Sequence, residues 1–405
     1  MAVNRVARLP DELAIEIFKN RVLTAGDLAS CALVSRRFTD PVREPLYESV
    51  EVVVMEDLGR SAEDEDSDEQ EEEEELLETA YWTASFRLLN TLMGNARLAE
   101  LVKKLQVTVE ASYDSRHYPD HSAVATTPIQ ALSTFLRLAP QIKHVMLNGP
   151  FPDKLDVLQK LVRHKNIEGL CLRVAGDAEV DFIARELGHL RQLEVSHLRT
   201  DTSTRLPEYP ANLNTLTVLN CRPSLLLPLL FTNSSTLRSL SIDINAALSV
   251  TYSEYPQISD LTLNCRCVET DPPRDRRKLF AIQHQFWRSL CDSPSLVTLS
   301  FKSRDPLPND DFTSIFYSGS RCPYKPIPTL RTVRFIDYTF LDRVQLILSS
   351  ALAQTLYRII LPYTWTLEAA YGGDMKTRAV VGMCEESGIQ VCAGPYQSSF
   401  HHYYH

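Results

Sequence analysis

The sequence predicts an α/β protein in two parts, a small N-terminal unit of three helices followed by a long array of repeats. Three observations lead to this prediction. Residues 1–46 place apolar side chains at helical spacing. From residue 47 onward a different pattern recurs, the triplet apolar-x-x-apolar-x-apolar. Segments between triplets return to helical spacing, so each repeat is a strand, a turn and a helix, and the strands form a curved parallel sheet with the helices outside.

The N-terminal unit begins with "LPDELAIEIF". Pro10 suits the first position of a helix, where a missing N–H costs nothing, and Leu13 and Ile17 then share one face. A second helix is expected from about Ala25, and a third, interrupted by proline, is expected to end near Pro45. Such a short unit cannot bury all of its apolar residues by itself, so they pack either on the rest of the chain or on another protein.

The triplet recurs at regular intervals. Single matches carry little weight, because at 44% apolar content roughly 34 triplets are expected by chance. Six successive triplets, however, start 25, 23, 23, 24 and 21 residues apart, within the 20–29 residues of leucine-rich repeats. Residues 47–405 are therefore predicted to hold about 10–12 such repeats. The triplets begin at Tyr47, Val102, Ile142, Ile167, Leu190, Leu213, Leu237, Ile258, Leu296, Leu330 and Leu356, and Ile389 starts an incomplete one.

The negative charge of the chain is local. Between Glu63 and Glu78 there are twelve acidic residues and no basic one. Because like charges repel and nothing apolar is available to bury, a disordered insertion is expected at about 56–76. Without the acidic run, 42 basic residues face 40 acidic ones, and the net charge changes from −10 to +2. The rest of the chain is balanced, so no strongly basic face for nucleic acid is expected.

Composition and motifs argue against several classes of protein. No basic N-terminal stretch leads into an apolar segment, and no apolar run is as long as a membrane span. The nine cysteines are scattered and odd in number, so reduced thiols in the cytoplasm or nucleus are expected. The "CRC" at 265–267 lacks a second ligand pair, and no phosphate loop, nucleophile elbow or zinc-protease helix occurs. We therefore expect no metal, no cofactor, no membrane association and no catalytic activity.

The N-terminal residues resemble the F-box in order as well as in type. The F-box pattern is a Leu-Pro, an acidic-Leu pair, an Ile-Leu/Phe pair, a later Asp-Leu, and then Val-Ser/Cys-Arg/Lys-x-Phe/Trp. With the irregular repeats and the acidic insertion, the chain also looks like the large fungal families of F-box proteins with leucine-rich repeats. The matching residues here are Leu9-Pro10, Glu12-Leu13, Ile17-Phe18, Asp27-Leu28 and Val34-Ser35-Arg36-Arg37-Phe38.

An F-box implies a three-helix domain, residues 1–46 here, that binds the Skp adaptor of a cullin-based, SCF-type ubiquitin ligase. The repeat domain, residues 47–405, would then bind a protein substrate for ubiquitin-dependent degradation. Two alternatives stay open: the helices only cap the array, or the protein binds the adaptor and acts as a scaffold without ubiquitination. The resemblance assigns seven residues to the adaptor interface or to the packing immediately behind it: Leu9, Pro10, Leu13, Ile17, Leu28, Val34 and Phe38.

Substrate contacts are expected from strand residues that alternate with the buried apolar ones, because successive side chains of a strand point to opposite faces. The charged candidates are Arg173, Glu194, Lys302, Arg334 and Arg358. The last three belong to the C-terminal repeats, and guanidinium groups suit bidentate contact with anions. The hypothesis is that this strip binds an acidic or phosphorylated segment of the substrate. The competing interpretation is that these are ordinary solvated side chains.

Overall fold

Twelve parallel strands form one open sheet in which the order of strands follows the order of the chain. The computed structural model describes residues 25–34, 36–57, 88, 91–92, 94–112, 128–149, 154–198, 208–264, 285–286, 288–303, 326–337, 344, 347–348, 351–362 and 375–393. The predicted α/β class is confirmed, and the parallel sheet is compatible with a solenoid. The identification of the repeats as leucine-rich remains a resemblance.

The strands coincide with the triplets of the sequence. The first eleven each contain the last two residues of one triplet, and the twelfth contains the last residue of the incomplete one. From the second repeat onward, the first residue of each triplet is buried just before its strand. The strands are β1 (Ser49–Asp57), β2 (Lys104–Ser112), β3 (His144–Asn148), β4 (Gly169–Ala175), β5 (Gln192–Leu198), β6 (Thr215–Val218), β7 (Ser239–Asp243), β8 (Asp260–Asn264), β9 (Thr298–Ser303), β10 (Thr332–Asp337), β11 (Arg358–Leu361) and β12 (Gln390–Ala393).

Helices connect many of these strands. Within the described residues they are α1 (Ala25–Val34), α2 (Arg36–Glu48), α3 (Ala96–Ala99), α4 (Pro128–Leu138), α5 (Lys154–Val162), α6 (Asp177–Glu186), α7 (Pro223–Thr232), α8 (Ile244–Ala247) and α9 (Met375–Glu386), with 3-10 turns at Tyr252–Glu254 and Ala351–Gln354. Local capping shows why they begin where they do. The Glu179 carboxylate accepts the Gly176 N–H at 2.9 Å before α6, and Pro223 takes the first position of α7. In this part of the chain, no helix has the length and apolarity needed to cross a membrane.

Two N-terminal predictions are tested by the helices. α1 covers Ala25–Val34, within the region of the predicted second helix, whereas α2 passes through both of its prolines and ends at Glu48 rather than near Pro45. The predicted first helix lies outside the described residues. The expected acidic insertion also lies outside them, except for Glu56 and Asp57, which end β1.

One hydrogen-bond arrangement recurs where the strands begin. The Arg331 carbonyl, just before β10, accepts the Tyr357 N–H at 2.9 Å and the Arg358 N–H at 3.0 Å from the next repeat. Because the bonds form at the same place each time, they hold successive triplets in register. The same pair of bonds is accepted by the carbonyls of Lys103, Lys143, Glu168, Asn214, Arg238, Ser259 and Val297.

The chain divides into two compact units. Unit 1 is Met1–Glu194 with Arg205–Glu208, and unit 2 is Val195–Thr204 with Tyr209–His405. In unit 1, α2 runs directly into β1. The Lys103 N–H, just before β2, donates to the Glu48 carbonyl at 3.0 Å. This backbone bond fixes the start of β2 against the end of α2.

Unit 2 is held together by aromatic and leucine packing behind its strands. Phe301 and Phe335 lie opposite each other on β9 and β10, with ring centroids 5.8 Å apart and planes at 29°. Tyr252 meets Phe286 edge-on at 5.8 Å, and burial raises the pKa of the Tyr252 hydroxyl. These contacts combine large apolar burial with aromatic pairing worth about 0.5–1.5 kcal/mol each.

A buried amide anchors α7 in unit 2. Asn233 follows the helix and has no exposed surface. Its Oδ1 accepts the Leu213 N–H at 2.8 Å, and its Nδ2 donates to the carbonyls of Pro210 at 2.8 Å and Leu229 at 2.9 Å. The amide thus satisfies three backbone groups that packing has removed from water.

Candidate protein-interaction surfaces

Helices α1 and α2 pack on each other through a small apolar contact. Leu28 of α1 is 5% exposed and contacts Val42 of α2, which is fully buried, with Cys31, Ala32 and Leu46 around them. Leu28 was predicted for the adaptor interface or the packing behind it. In this chain its side chain packs against α2, and a contact with the adaptor stays a prediction.

Leu33 is an apolar residue of α1 that the sequence analysis did not assign. Its side chain is 89% exposed, while Leu28, five residues earlier, is buried. Five residues turn a helix by about 140°, so the two leucines point to different sides. A helical projection anchored on Leu28 is the signal that would have identified Leu33. A single exposed leucine is common in proteins, and its place inside the F-box pattern is what makes it a candidate contact.

The other predicted adaptor residues are only partly placed. Leu9, Pro10, Leu13 and Ile17 lie outside the described residues. Val34 ends α1 and Phe38 belongs to α2, and the side chains of both are likewise outside the described part. Their assignment stays a prediction.

The strands present two faces. One carries the apolar triplet residues, against which helices such as α6 and α9 pack. The other, called here the open face, carries the side chains that alternate with them. Among the predicted substrate residues, Arg173 and Glu194 lie on this face in unit 1, and Lys302, Arg334 and Arg358 lie on it in unit 2.

In unit 1 the polar groups of the open face bond to one another. Gln106 of β2 donates from its Nε2 to the Glu51 carboxylate on β1 and, at 3.4 Å, to the Thr108 hydroxyl. The Thr108 hydroxyl donates to the same Glu51 carboxylate at 3.4 Å. These three side chains therefore form a closed network across β1 and β2.

The thiol of Cys171 on β4 likewise lies near a polar side chain of the neighbouring strand, Glu194 on β5. Burial, and then the nearby Glu194 carboxylate, raise the pKa of the Cys171 thiol. A protonated thiol is a poor nucleophile. Arg173, two residues further along β4, is exposed and lines a shallow crevice with Lys154. Glu194 is thus engaged within the chain, whereas Arg173 reaches solvent.

The Nδ1 edge of the His144 ring on β3 faces Gly169 of β4. The two residues are paired in register, and a Cβ placed on Gly169 would be 2.3 Å from the imidazole Nδ1. Burial, and then the nearby Lys104, lower the pKa of His144. Only glycine leaves the ring this space.

In unit 2, three cations form a diagonal line, called here the cationic diagonal. Arg334 on β10 is opposite Ser300, two residues before Lys302 on β9. Arg358 on β11 is in turn opposite Thr332, two residues before Arg334. With about 4.8 Å between strands and about 6.6 Å per two residues, successive Cα atoms are about 8 Å apart. The structure therefore brings these three predicted residues together.

Small hydroxyl residues cover much of the open face beside the cationic diagonal. Two rows cross β6 to β9 in register, and Asp260 interrupts the hydroxyl groups of one of them. Small side chains leave room above the sheet for a partner. The rows are Thr215, Ser239, Asp260 and Thr298, and Thr217, Ser241, Thr262 and Ser300.

An aromatic ring borders the cationic diagonal and was also missed by the sequence analysis. Tyr357 is 59% exposed and precedes β11, and the Arg358 guanidinium lies 5.8 Å from its ring centroid. It occupies the first x position of the triplet that begins at Leu356, where the repeat pattern accepts any residue, so the pattern does not mark it. The signal that would have found it is its position just before a strand.

The cysteines offer no metal centre within the described ranges, where no group of three or more His, Cys, Asp or Glu side chains is arranged to hold a metal. Cys221 follows β6, and burial, with Asp243 nearby, raises its pKa to about 12. Burial and then Glu385 raise the pKa of Cys384 to about 11. The "CRC" at 265–267 lies outside the described residues.

Comparison with known families bears on the N-terminal unit. Residues 6–51 match the family model described as F-box-like. The match includes α1 and α2, the two described helices of the N-terminal unit, and the first three residues of β1. No curated protein matches the chain. The match supports an F-box protein, and such domains are adaptor-binding modules of SCF-type ubiquitin ligases.

Proposed function

We propose that this protein is the substrate-recognition subunit of a cullin-based, SCF-type ubiquitin ligase. Its F-box region binds the Skp adaptor, and the open face of its repeat domain binds a protein target. The observation that carries the proposal is the F-box-like match at residues 6–51, directly in front of a twelve-stranded parallel sheet. The protein acts in the cytoplasm or nucleus, and partner enzymes perform the transfer of ubiquitin.

The junction between α2 and β1 supports a positioning role. No linker separates them, since Glu48 ends the helix and Ser49 begins the strand. The Lys103 N–H bonds to the Glu48 carbonyl, and the Lys103 ammonium lies 3.3 Å from the Glu44 carboxylate. That exposed ion pair adds little energy, but the backbone bond joins the helix to the sheet. An adaptor bound to α1 and α2 therefore also holds the first strands, and holding a target near a transfer enzyme is itself catalytic assistance.

Co-purification with the Skp adaptor tests the proposal. Leu13→Asp with Ile17→Asp is expected to abolish adaptor binding, and Leu33→Asp to weaken it, because each puts a charge where an apolar contact forms. Phe231→Asp is a matched control, since Phe231 is also an exposed apolar residue, 76% exposed on α7 of unit 2. Adaptor binding that survives the double substitution would leave the N-terminal helices as a cap on the array.

A second measurement separates the ligase from a scaffold. Proteins captured with the chain while the proteasome is blocked are its candidate targets. If the chain recruits them for degradation, deleting the chain raises their abundance. A scaffold that binds the adaptor leaves those abundances unchanged. The two readouts together distinguish an adaptor-free repeat protein, an adaptor-bound scaffold and a substrate receptor.

A further inference from the structure

The cationic diagonal contains a buried donor that needs an acceptor. Nε of Arg358 is shielded from solvent and has no hydrogen-bond partner among the described residues. Its guanidinium is held beside the Tyr357 ring. Leaving a buried charged donor without an acceptor is unfavourable, and native structures rarely do so without a functional reason. An anionic group bound to the guanidinium would offset this cost through its charge.

The residues around Arg358 extend this anion-binding character. No ion pair to Lys302, Arg334 or Arg358 is found within the described part of the chain. Ser300 lies beside Arg334, and Thr332 lies beside Arg358, so a hydroxyl group adjoins each arginine. Hydroxyl groups donate to carboxylate oxygens as guanidinium groups do, and charge-assisted bonds of this kind are the stronger ones.

The spacing of the three cations indicates the form of the ligand. Lys302 and Arg358 are about 16 Å apart, twice the step of about 8 Å between neighbours. One compact anion can contact two of the cations but not all three. In an extended peptide, alternate side chains lie about 6.6 Å apart on one side. Acidic residues at alternate positions therefore match the three cations along the diagonal.

The rim of the open face adds an apolar contact. Val297 is 41% exposed and Tyr357 is 59% exposed, each directly before its strand. Arg331 stands between them in the same row, and its guanidinium donates to the carbonyls of Pro328, Leu330 and Thr355 at 3.0, 3.1 and 3.3 Å. Arg331 is therefore used within the chain, and Val297 and Tyr357 are free to contact apolar side chains of a ligand.

We propose that the cationic diagonal of Lys302, Arg334 and Arg358 binds an extended acidic segment of a partner protein, with acidic side chains at alternate positions. The role of that partner as a target for ubiquitination rests on the proposed function. The binding itself does not, because it requires neither the adaptor nor the F-box. A failure of adaptor binding and a failure of peptide binding are thus separate results.

Fluorescence anisotropy of the full chain tests this inference with four labelled peptides of equal length. The first has Glu at alternating positions, the second has the same residues with Glu consecutive, the third has Gln in place of Glu, and the fourth has a single phosphoserine. The alternating peptide is expected to bind most tightly, and its affinity is expected to fall as the salt concentration rises from about 50 to about 300 mM.

Charge-removing variants locate the site. The double variant Arg334→Gln with Arg358→Gln is expected to lower the affinity for the alternating peptide at least about tenfold, because two charge-assisted contacts are lost. Arg238→Gln is the matched control, an exposed arginine of unit 2 placed just before β7 and away from the diagonal, and it is expected to change binding less than twofold. Circular dichroism confirms that both variants fold.

Four outcomes would overturn the inference. The first is that the Gln peptide binds as tightly as the alternating peptide, and the second is that Arg238→Gln loses as much binding as the double variant. The third is that the phosphoserine peptide binds more tightly than the alternating peptide. The fourth is that a single-stranded oligonucleotide displaces the alternating peptide at a lower concentration than the unlabelled alternating peptide does. The third outcome would show that the arginines bind a single phosphate group, and the fourth would show that they bind nucleic acid.

Discussion

The open face of unit 1 and the cationic diagonal of unit 2 are both built from strand side chains that alternate with the apolar triplet residues, but their polar groups differ in what they bond to. In unit 1, Gln106, Glu51 and Thr108 bond to one another, and Glu194 lies close enough to Cys171 to raise the pKa of its thiol. The cations on β9 to β11 have no ion pair within the described ranges. Side chains that satisfy each other support the fold, whereas those left with unused donors are available to a partner.

Unit 2 also has fixed polar contacts. Asn264 at the end of β8, opposite Lys302 in register, donates to the Ser241 hydroxyl at 2.9 Å and to the Ile242 carbonyl at 3.2 Å. Asn233, which follows α7, bonds to three backbone groups and to none of the three cations. Binding and folding can be altered separately there, and substitutions should show it.

The largest effect is expected for Asn233→Ala. The change leaves the Leu213 N–H and the carbonyls of Pro210 and Leu229 buried without their partner, which should destabilise unit 2 by about 3 kcal/mol. Urea unfolding measures the loss, and hydrogen exchange of the Leu213 amide reports it locally. Asn214→Ala, at an exposed asparagine, is the control and should change stability by less than about 0.5 kcal/mol. Equal effects of the two substitutions would show that the buried amide is not an anchor.

A smaller effect is expected in unit 1 for Gly169→Ala. The new methyl group displaces the His144 ring, a side chain that can rotate, so the cost should be about 1–2 kcal/mol. Because burial is the main cause of the lowered pKa of His144, that pKa should rise toward its ordinary value. NMR titration of the imidazole measures it. Gly94→Ala, where nothing lies within 4 Å of the added Cβ, is the control.

The lowered pKa of His144 contributes to the pH dependence of unit 1, as does the lowered pKa of His164. The folded state favours the neutral imidazole, so this contribution to stability is present above the ordinary pKa of 6.5 and is lost as pH falls below it. Displacing the ring into solvent should reduce that dependence in Gly169→Ala. An unchanged His144 titration in the variant would show that the ring does not depend on the glycine.

Much of the sheet could be predicted because the triplet is a local pattern. Its three apolar residues mark each strand whatever the length of the connecting segment, and the positions of Lys302, Arg334 and Arg358 relative to their triplets already imply a diagonal. Contacts between side chains of different repeats could not be predicted. The approach of Glu194 to Cys171 and the placement of the His144 ring against Gly169 depend on rotamers and on exact register.

In the N-terminal unit, too, contacts between side chains of different elements could not be predicted from the sequence. The order of residue types predicted an F-box, and the family match at 6–51 supports it. Sequence order alone did not separate the packed Leu28 from the exposed Leu33, because that depends on where α2 lies. The end of α2 was also misplaced, since a proline removes one helical hydrogen bond but does not prevent the helix from continuing when packing supports it.

The smallest effect on stability is expected at the cationic diagonal, and it gives the sharpest test of the comparison. Gln106→Ala and Arg334→Ala both truncate a half-buried side chain in the middle of a strand on the open face. Gln106→Ala removes bonds to Glu51 and Thr108 and should cost about 1 kcal/mol. Arg334→Ala removes no ion pair found within the described residues and should change the free energy of unfolding by less than about 0.5 kcal/mol, while weakening the acidic peptide. If urea unfolding instead shows a loss of about 2 kcal/mol or more for Arg334→Ala, the guanidinium supports the fold as the unit 1 network does, and the distinction between the two surfaces fails.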